Sequence, residues 1–342
     1  MHAVTHSTTP ESLAPVSNFG DAVAEFRALL AGCGVYDLSQ RCKIRLTGSD
    51  RVRWLNGMVT NNVRDLAVHH GIYGFLLNAQ GHIQADHYAY NMGDSLIVDL
   101  DVHLREKVLA HFDKFIIMDD VEVTDVSASL SAIGIAGPQA TAILHAAGIH
   151  VPELAPLEFC SPKCDCACSC LQCTVVRSDD PEGSSYEIWI APDKAKATRD
   201  ALIAAGAIPT GTTALEWQRI RWGIPRFGVD IRERDLPQET GQTRALNFTK
   251  GCYLGQEIVE RIRSRGAVHR QFAAFLVEGP LPPPGARIQA EGKDVGEITT
   301  SAVLPLTAGN RAVALGYLRR EAVGKNLRAG EATLKEKMPP IA

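Results

Sequence analysis

The stretch that most constrains this chain runs from Lys250 to Glu257 and reads Lys-Gly-Cys-Tyr-Leu-Gly-Gln-Glu. Gly251 and Gly255 bracket Cys252, and glycine at both places permits a tight turn with close backbone approach. Apolar residues recur at helical spacing from Ile258 onward. The pattern therefore predicts that Cys252 lies near the entrance of a helix.

Two features favour a reactive or ligand-contacting thiol at Cys252. A helix entrance offers unpaired backbone N–H groups, and Lys250 places a cation two residues away. Both stabilise a thiolate relative to a thiol. The alternative is a small buried side chain, which is the usual fate of an unpaired cysteine. Exposure decides between the two, because a reactive thiol must be accessible.

The motif resembles the K-G-C-[FY]-x-G-Q-E signature of the YgfZ-type folate-binding proteins, which are relatives of the glycine-cleavage T-protein, an aminomethyltransferase. The resemblance implies an α+β fold in which two mixed α/β subdomains form a folate-binding body, followed by a C-terminal β-barrel. The positions of this chain that match the signature are Lys250, Gly251, Cys252, Tyr253, Gly255, Gln256 and Glu257.

The chain has 342 residues, of which 45% are hydrophobic and 22% charged, so it is long enough for two or three folded domains. We predict a disordered leader over residues 1–20, a body over 21–270 that carries a Cys-rich insertion at 160–173, and a barrel over 271–342. A net charge of −4 argues against a globally basic nucleic-acid binder and leaves room for a local RNA contact.

The cysteine count and the hydropathy pattern indicate the cellular compartment in which the protein is expected. Nine cysteines is an odd number, and the crowding of six of them between Cys160 and Cys173 is typical of unpaired thiols or metal ligands. We find neither a secretory signal nor a run of about 20 apolar residues, the length needed to cross a bilayer. These observations predict a cytoplasmic protein without a membrane partner.

Several secondary-structure elements can be placed from periodicity and turn residues. Asp21 is a candidate cap for a helix that ends at Gly32. From Gly71 the pattern changes to hairpins, with turns at 78–81 and 93–94. Further on, Pro-rich and Gly-rich punctuation after Gln271 indicates a small β-barrel.

The middle strand of the hairpins has one polar and aromatic face, which includes Asp86, Tyr88 and Tyr90. Such a face is either solvated or lines a pocket in which tyrosines stack on a planar ring. The segment resembles the T-protein pattern G-G-x-x-D-D-x-x-x-Y. The resemblance implies that Asp86 is the catalytic carboxylate beside the folate amine and that Tyr90 helps to line the folate site. Ala85 and His82 depart from the pattern.

Three further residues are matched to the folate site by the resemblance alone. Glu187, in Ser-Tyr-Glu-Ile-Trp-Ile, occupies the place of the glutamate that holds the pterin N–H groups. Arg219 matches the folate-contacting arginine, and Phe227 stands where the family has an aromatic ring. Without the resemblance, Glu187 would be an ordinary edge carboxylate and Arg219 a salt-bridged helix arginine.

The Cys-rich segment is a candidate metal site. Thiolates in a bent loop could hold a soft metal such as zinc, copper(I) or an iron–sulfur cluster. The alternative is a surface insertion that ends in a strand near Leu171. The candidate ligands are Cys164, Cys166, Cys168, Cys170 and Cys173.

A basic stretch follows the cysteine motif. Helical pairs at Glu257 with Arg261 and at Glu260 with Arg263 account for two of its arginines. The others, Arg265 and Arg270, could contact anions such as a folate glutamyl tail or an RNA phosphate, or could belong to a solvated charge run.

Three functions follow as hypotheses. The first is a protein that binds tetrahydrofolate or a one-carbon derivative and supports iron–sulfur cluster assembly or repair in client enzymes, including tRNA-modifying ones, as the resemblance implies. The second is a true aminomethyltransferase, in which Asp86 would orient or deprotonate the folate amine. The third is a thiolate metal-binding or metal-delivery protein that uses the Cys-rich segment.

Overall fold

The computed structural model describes residues 16–162, 172–183, 185–266 and 268–342. These residues form two compact units. The first unit contains the described residues up to 57 together with 61–74 and 87–214, and the second contains 58–60, 75–86 and 215–342. None of the described helices combines the length and apolarity that a bilayer crossing requires.

The elements of the first 214 residues, in chain order, are α1 Ala22–Ala31, β1 Gly34–Asp37, β2 Arg41–Thr47, α2 Arg51–Met58, β3 Gly71–Leu77, β4 Ile83–Asn91, β5 Leu96–Asp101, α3 Arg105–Phe115, β6 Glu122–Asp125, β7 Ser131–Ala136, α4 Ala140–Ala146, β8 Phe159–Cys160, β9 Cys173–Arg177, β10 Ser185–Ile190, α5 Pro192–Ala204, β11 Ile208–Pro209 and α6 Thr212–Arg221. Short 3₁₀ turns at Val102–Leu104 and Ser127–Ser129 precede α3 and β7.

Two sheets organise this region. One has five strands in the order β3-β4-β5-β2-β6, and the other has six in the order β11-β1-β7-β10-β9-β8. Antiparallel pairing places Lys43 opposite Asp99, and Asp99 opposite Tyr88. In the six-stranded sheet, Gly134 of β7 pairs with Tyr36 on one side and Glu187 on the other. Residues paired directly across strands share one face of the sheet, so each alignment sets side chains next to one another.

The remaining elements are the 3₁₀ turns Pro237–Thr240 and Thr243–Ala245, α7 Gln256–Arg265, β12 Arg270–Glu278, β13 Arg287–Ala290, β14 Lys293–Leu306, β15 Gly309–Arg319, a 3₁₀ turn at Arg320–Ala322, β16 Leu327–Ala329 and β17 Ala332–Glu336. The six strands close into a barrel in the order β12-β15-β14-β13-β16-β17. Its interior is filled by apolar side chains that include Phe275, Ile298 and Leu334. The predicted C-terminal barrel and the α+β class are confirmed.

The local signals in the sequence agree well with the elements. Asp21 caps α1 by accepting hydrogen bonds from the N–H groups of Val23 and Ala24, at 2.9 and 3.2 Å. The predicted hairpins are β3, β4 and β5. On β4 the alternation is present as expected, with Ile83, Ala85, His87 and Ala89 buried and Asp86 half-buried.

The end of the predicted leader differs from expectation. Residues 1–15 lie outside the described part of the chain. Residues 16 and 17 accept backbone hydrogen bonds from Thr212 and Thr213, both at 3.0 Å, and the N–H of Phe19 donates to Glu25. Residues 16–19 are therefore held in the first unit by hydrogen bonds, most of them to residues far along the chain. A polar composition gives no sign of such partners.

Candidate functional site

In the first unit, Glu187 lies beside an aromatic surface on the six-stranded sheet. Gly134 separates Glu187 of β10 from Tyr36 of β1. Because glycine has no side chain, the Tyr36 ring covers this position, and a Cβ at Gly134 would collide with the ring. Burial, and then the Glu187 charge, raise the pKa of Tyr36 well above its usual range. Tyr36 is therefore neutral and borders the carboxylate.

The two oxygens of Glu187 have different surroundings. The indole Nε1 of Trp189 donates a hydrogen bond to Oε2 at 2.9 Å, and Lys43 Nζ lies 3.9 Å from the same atom. Oε1 accepts no hydrogen bond from any residue in the described ranges. The side chain is 16% exposed. The carboxylate is thus oriented by its neighbours and retains acceptor capacity for a ligand.

Lys43 joins Glu187 to a buried ion pair. Its ammonium lies 3.0 Å from Asp99 Oδ2, with the two side chains 1% and 0% exposed, and 4.6 Å from the centre of the Trp189 ring. Arg41 Nε donates to the other Asp99 oxygen at 3.0 Å. The Lys43–Asp99 contact lacks the angles of a hydrogen bond, so it is held by charge and burial.

An aromatic cluster closes around this group. Tyr90 is 2% exposed and packs edge-on against Trp189, with ring centres 4.9 Å apart. Burial raises the pKa of Tyr90 well above its usual range. The half-buried Tyr88 lies nearer the surface and donates its hydroxyl to Asp179 at 3.2 Å. Tyr90 is therefore a core residue behind the site, and Tyr88 is the more accessible ring.

The sequence did not point to Tyr36, Lys43, Asp99 or Trp189 as site residues. Lys43 reads as the outward-facing charge of an alternating strand, yet it is as buried as its apolar neighbours Cys42 and Ile44. The available signal was the lysine itself, because the strand is covered on both faces at Lys43 and a charge buried there needs a partner.

In the second unit, Arg219 is held by carboxylates. Its guanidinium contacts Glu216 and Asp230, both at 2.6 Å, and donates to the Ile224 carbonyl at 2.5 Å. Burial lowers the pKa of Arg219, but these ion pairs outweigh it and the net pKa is raised. Asp230, which is fully buried, also accepts from Thr300 Oγ1 at 2.8 Å. This network orients the guanidinium of Arg219.

The other matched residues of the second unit occupy separate elements. Asp86 is half-buried on β4, and Phe227 is half-buried in the loop that follows α6. Within the first unit, the structure brings Tyr90 and Glu187 together around Trp189. For Asp86, Arg219 and Phe227, a folate contact stays a prediction.

The cysteine motif forms a turn that presents its thiol. Gly251 and Gly255 have φ angles of 96° and 81°, in the left-handed region that glycine enables, and α7 begins at Gln256. Lys250 is 1% exposed, and its ammonium donates to the Val59 carbonyl and lies 4.9 Å from the Tyr253 ring centre. Cys252 is exposed and unpaired. Lys250 therefore anchors the turn.

The structure gives Arg270 partners that neither alternative for the basic stretch named. Its guanidinium binds Asp235 and Glu239 at 2.6 and 3.0 Å and stacks over Tyr317, while an anion contact of the basic stretch stays a prediction. These carboxylates lie more than 30 positions upstream, beyond the reach of helical-spacing arguments. The Glu260–Arg263 pair is confirmed at 3.4 Å.

The predicted metal ligands Cys164, Cys166, Cys168 and Cys170 lie outside the described residues. Cys173 is buried in β9. Within the described ranges, no group of three or more His, Cys, Asp or Glu side chains could hold a metal ion. Metal binding by the Cys-rich segment stays a prediction.

Comparison with known proteins gives two family matches. The family described as GCVT N-terminal domain matches residues 3–250, and the family described as CAF17, C-terminal beta-barrel domain, matches residues 265–342. The second match agrees with the closed barrel observed between Arg270 and Glu336.

Relatives are found in sequence and in structure. An aminomethyltransferase of Rubrobacter xylanophilus is 27% identical over 305 residues, which covers 88% of this chain and 80% of the relative. One from Thermus thermophilus is 25% identical, with coverage of 88% and 84%. The crystal structure of glycine cleavage system aminomethyltransferase T from Bartonella henselae superposes with a TM-score of 0.84 at 20% identity, covering 95% of this chain and 91% of that one. The last comparison supports the fold.

Replacing Lys43 tests whether the buried ion pair orders the Glu187 side of the first unit. We expect Lys43→Met to lower the free energy of unfolding by about 3–5 kcal/mol, because it leaves Asp99 buried with only Arg41 as its cation. Urea unfolding followed by circular dichroism measures this change. The matched control is Arg45→Met, two residues along the same strand and exposed.

The double variant Lys43→Met/Asp99→Leu should recover much of that loss, since the fully buried carboxylate of Asp99 is removed together with its ammonium partner. A cost for Lys43→Met no greater than that of Arg45→Met would contradict the assignment.

The exposure of Cys252 predicts selective alkylation. Burial raises the pKa of Cys33 to about 12 and that of Cys42 to about 11, so both remain protonated thiols at about pH 8. We expect iodoacetamide to modify Cys252 before Cys33, Cys42 and Cys173 in the folded protein, as measured by peptide mass spectrometry. In urea the four rates should converge. Faster labelling of Cys33 or Cys42 in the folded state would show that the burial is misassigned.

Proposed function

We propose, from the premise that this chain belongs to the family of the GCVT N-terminal domain and ends in a CAF17-type C-terminal β-barrel, that it binds tetrahydrofolate or a one-carbon derivative. The observation that carries the proposal is the Glu187 carboxylate, which keeps one oxygen available beside the Tyr36 ring. A planar amino-pyrimidine presents parallel N–H groups. Oε1 of Glu187 can accept one of them, and Oε2, which has a second lone pair beside the bond from Trp189, can accept the other in a charge-assisted pair.

The surroundings of Glu187 suit a neutral planar ligand. Lys43 and Arg41 together balance the charges of Asp99 and Glu187, so the cluster has no net charge. Aromatic rings at Tyr36 and Tyr88 provide apolar faces of the kind that stack on conjugated rings. The same rings would exclude water from the hydrogen bonds that Glu187 accepts, which strengthens them.

The roles of the remaining residues are part of the proposal. Asp86 would lie beside the folate amine, with Phe227 contributing an apolar contact. Arg219 would contact the folate from the position that Glu216 and Asp230 fix for its guanidinium. A preorganised arginine loses little side-chain entropy when it binds a ligand.

We further propose that the folate-bound protein supports iron–sulfur cluster assembly or repair in client enzymes, including tRNA-modifying ones. The motif around Cys252 supports this role. Lys250 and Tyr253 are buried and hold the turn, while Cys252 between them is exposed. A chain that anchors a turn so firmly and leaves its thiol accessible is suited to offering that thiol to a partner.

Aminomethyl transfer is the second candidate, because the relatives of similar length bear that name. The retained carboxylate at Asp86 favours it. Ala85 and His82, which replace an aspartate and a glycine of the T-protein pattern, favour the accessory role. Release of methylenetetrahydrofolate from an aminomethyl-loaded carrier protein by the purified protein would support transfer.

A titration tests folate binding. We expect wild-type protein to bind tetrahydrofolate in anaerobic calorimetry and Glu187→Gln to weaken binding at least about tenfold, because the amide cannot accept two N–H groups with a full charge. Asp86→Asn should weaken it less. Glu153→Gln, an exposed carboxylate of the first unit, is the control and should bind as wild type does. Absence of saturable binding to wild type would refute the proposal.

A complementation assay tests the accessory role. In cells that lack their own copy of the gene, we expect Cys252→Ala to restore less iron–sulfur enzyme activity than wild type, whereas its affinity for tetrahydrofolate stays within about twofold, because the exposed thiol is placed outside the residues proposed to hold folate. Ser264→Ala, an exposed residue of α7, is the control. Full rescue by Cys252→Ala would remove the thiol from the mechanism.

A further inference from the structure

The first unit contains a cavity of about 440 Å³ whose lining is strongly cationic. Arg41 and Arg105 line one part of it, at the start of β2 and of α3, and Lys196 and Arg199 line another part on α5. Asp37 is the single carboxylate in the lining. The wall therefore offers a ligand four cationic groups and one carboxylate, while Arg41, Arg105 and Lys196 also pair with Asp99, Asp125 and Asp200 outside the lining.

Two of the cations are fixed in place from behind. Arg41 Nε contacts Asp99 at 3.0 Å, and Arg105 Nε contacts Asp125 at 2.9 Å. Both carboxylates are almost fully buried, with exposed fractions of 0% and 1%, and neither lines the cavity. These ion pairs hold the guanidinium groups in the wall, so their positions are set before any ligand arrives.

The other two cations are carried by α5. Lys196 and Arg199 are three residues apart and therefore share one side of the helix. Lys196 binds Asp200 at 2.7 Å at a largely exposed site, which is a weak interaction in water. No carboxylate of the described residues lies within salt-bridge distance of the half-buried Arg199. Arg199 is therefore the cation of this wall with the most capacity for a ligand.

The start of α5 adds a partial positive charge to the wall. Pro192 is the first residue of the helix and lines the cavity, and Ala191 before it offers no side-chain hydrogen bond to the N-terminal N–H groups. The N-terminal end of a helix carries a partial positive charge that favours anions. Here it accompanies four side-chain cations around one cavity.

The rest of the lining is apolar. Leu38 and Leu130 line the cavity and pack against the aromatic cluster that contains Tyr90 and Trp189. Ala195 adds a small apolar surface from α5. A cavity with a cationic side and an apolar side matches a ligand that has an anionic group attached to a hydrophobic body. Its volume falls within the range of about 300–1,000 Å³ that is typical of small-molecule sites.

We propose that this cavity binds a small organic anion, a phosphate ester or a carboxylate, with its hydrophobic body against Leu38 and Leu130 and its anionic group between Arg105 and Arg199. The site is distinct from the carboxylate of Glu187, which attracts N–H donors and does not line the cavity. Tyr36 lines the cavity and also borders Glu187, so the two sites share one side chain.

Calorimetry with two model anions tests the proposal in the full-length protein. The probes are 1-naphthyl phosphate and 1-naphthoate, which share a hydrophobic body and differ in the anionic group, and 1-naphthol is the neutral comparison. We expect at least one anion to bind one site per chain at low ionic strength, and to bind more weakly as sodium chloride is added. The anion with the lower dissociation constant shows whether the site prefers a phosphate or a carboxylate group.

Variants on α5 locate the binding. Arg199→Gln should weaken the preferred anion about tenfold, and Lys196→Gln/Arg199→Gln should weaken it further, because each removes a cation from the wall. The control is Lys194→Gln, which lies on the same helix, is paired with Asp193 and does not line the cavity. It should bind as wild type does.

Three outcomes would overturn the proposal: no saturable binding of either anion, equal effects of Arg199→Gln and Lys194→Gln, or equal binding of 1-naphthol. Glu187→Gln should retain anion binding whether or not it binds folate. Loss of anion binding in Glu187→Gln would place the anion at the Glu187 site and overturn the separate cavity. Failure of folate binding would leave this result unaffected, so the two proposals are tested separately.

Discussion

A buried ammonium and a buried carboxylate, Lys43 and Asp99, organise the first unit. Each would be costly in an apolar interior alone, so the strands that carry them must pair in the one register that brings them together. That register sets Arg41 against the same carboxylate and brings Lys43 over Trp189. Trp189 in turn donates a hydrogen bond to Oε2 of Glu187, so Oε1 is the oxygen that remains without one among the described residues.

The second unit also contains buried charged side chains, among them Asp230 and Lys250. Asp230 is fully buried and receives Arg219 and the hydroxyls of Thr299 and Thr300, which lie on barrel strand β14. Lys250 is equally buried and is satisfied by a backbone carbonyl and the Tyr253 ring. Each charged group also binds the backbone: Asp230 accepts from the N–H of Arg226, and Lys250 donates to the carbonyl of Val59. Cys252, between the buried Lys250 and Tyr253, remains exposed.

The amount of structure that sequence reasoning could predict depended on the distance between interacting residues. Local signals placed α1, the β3–β4–β5 hairpins and the start of α7 closely, because caps, turns and alternation act over a few residues. The ion pairs of Arg270 were not predicted, since its partners Asp235 and Glu239 are distant in the chain and no spacing rule reports them. The burial of Lys43 is not visible in the sequence for the same reason, since its partner Asp99 lies on another strand.

From the sequence alone came the α+β class, the terminal barrel, the motif turn at residues 250–257 and the candidacy of Glu187, because each depends on local backbone preference or on a short matched pattern. The tertiary structure decided which side chains surround Glu187, that Tyr90 is in the core while Tyr88 is accessible, and that four cations line one cavity. Those outcomes depend on strand register and on charge pairing between residues tens of positions apart. Such pairings acquire their energies only when the chain has closed around them and excluded water.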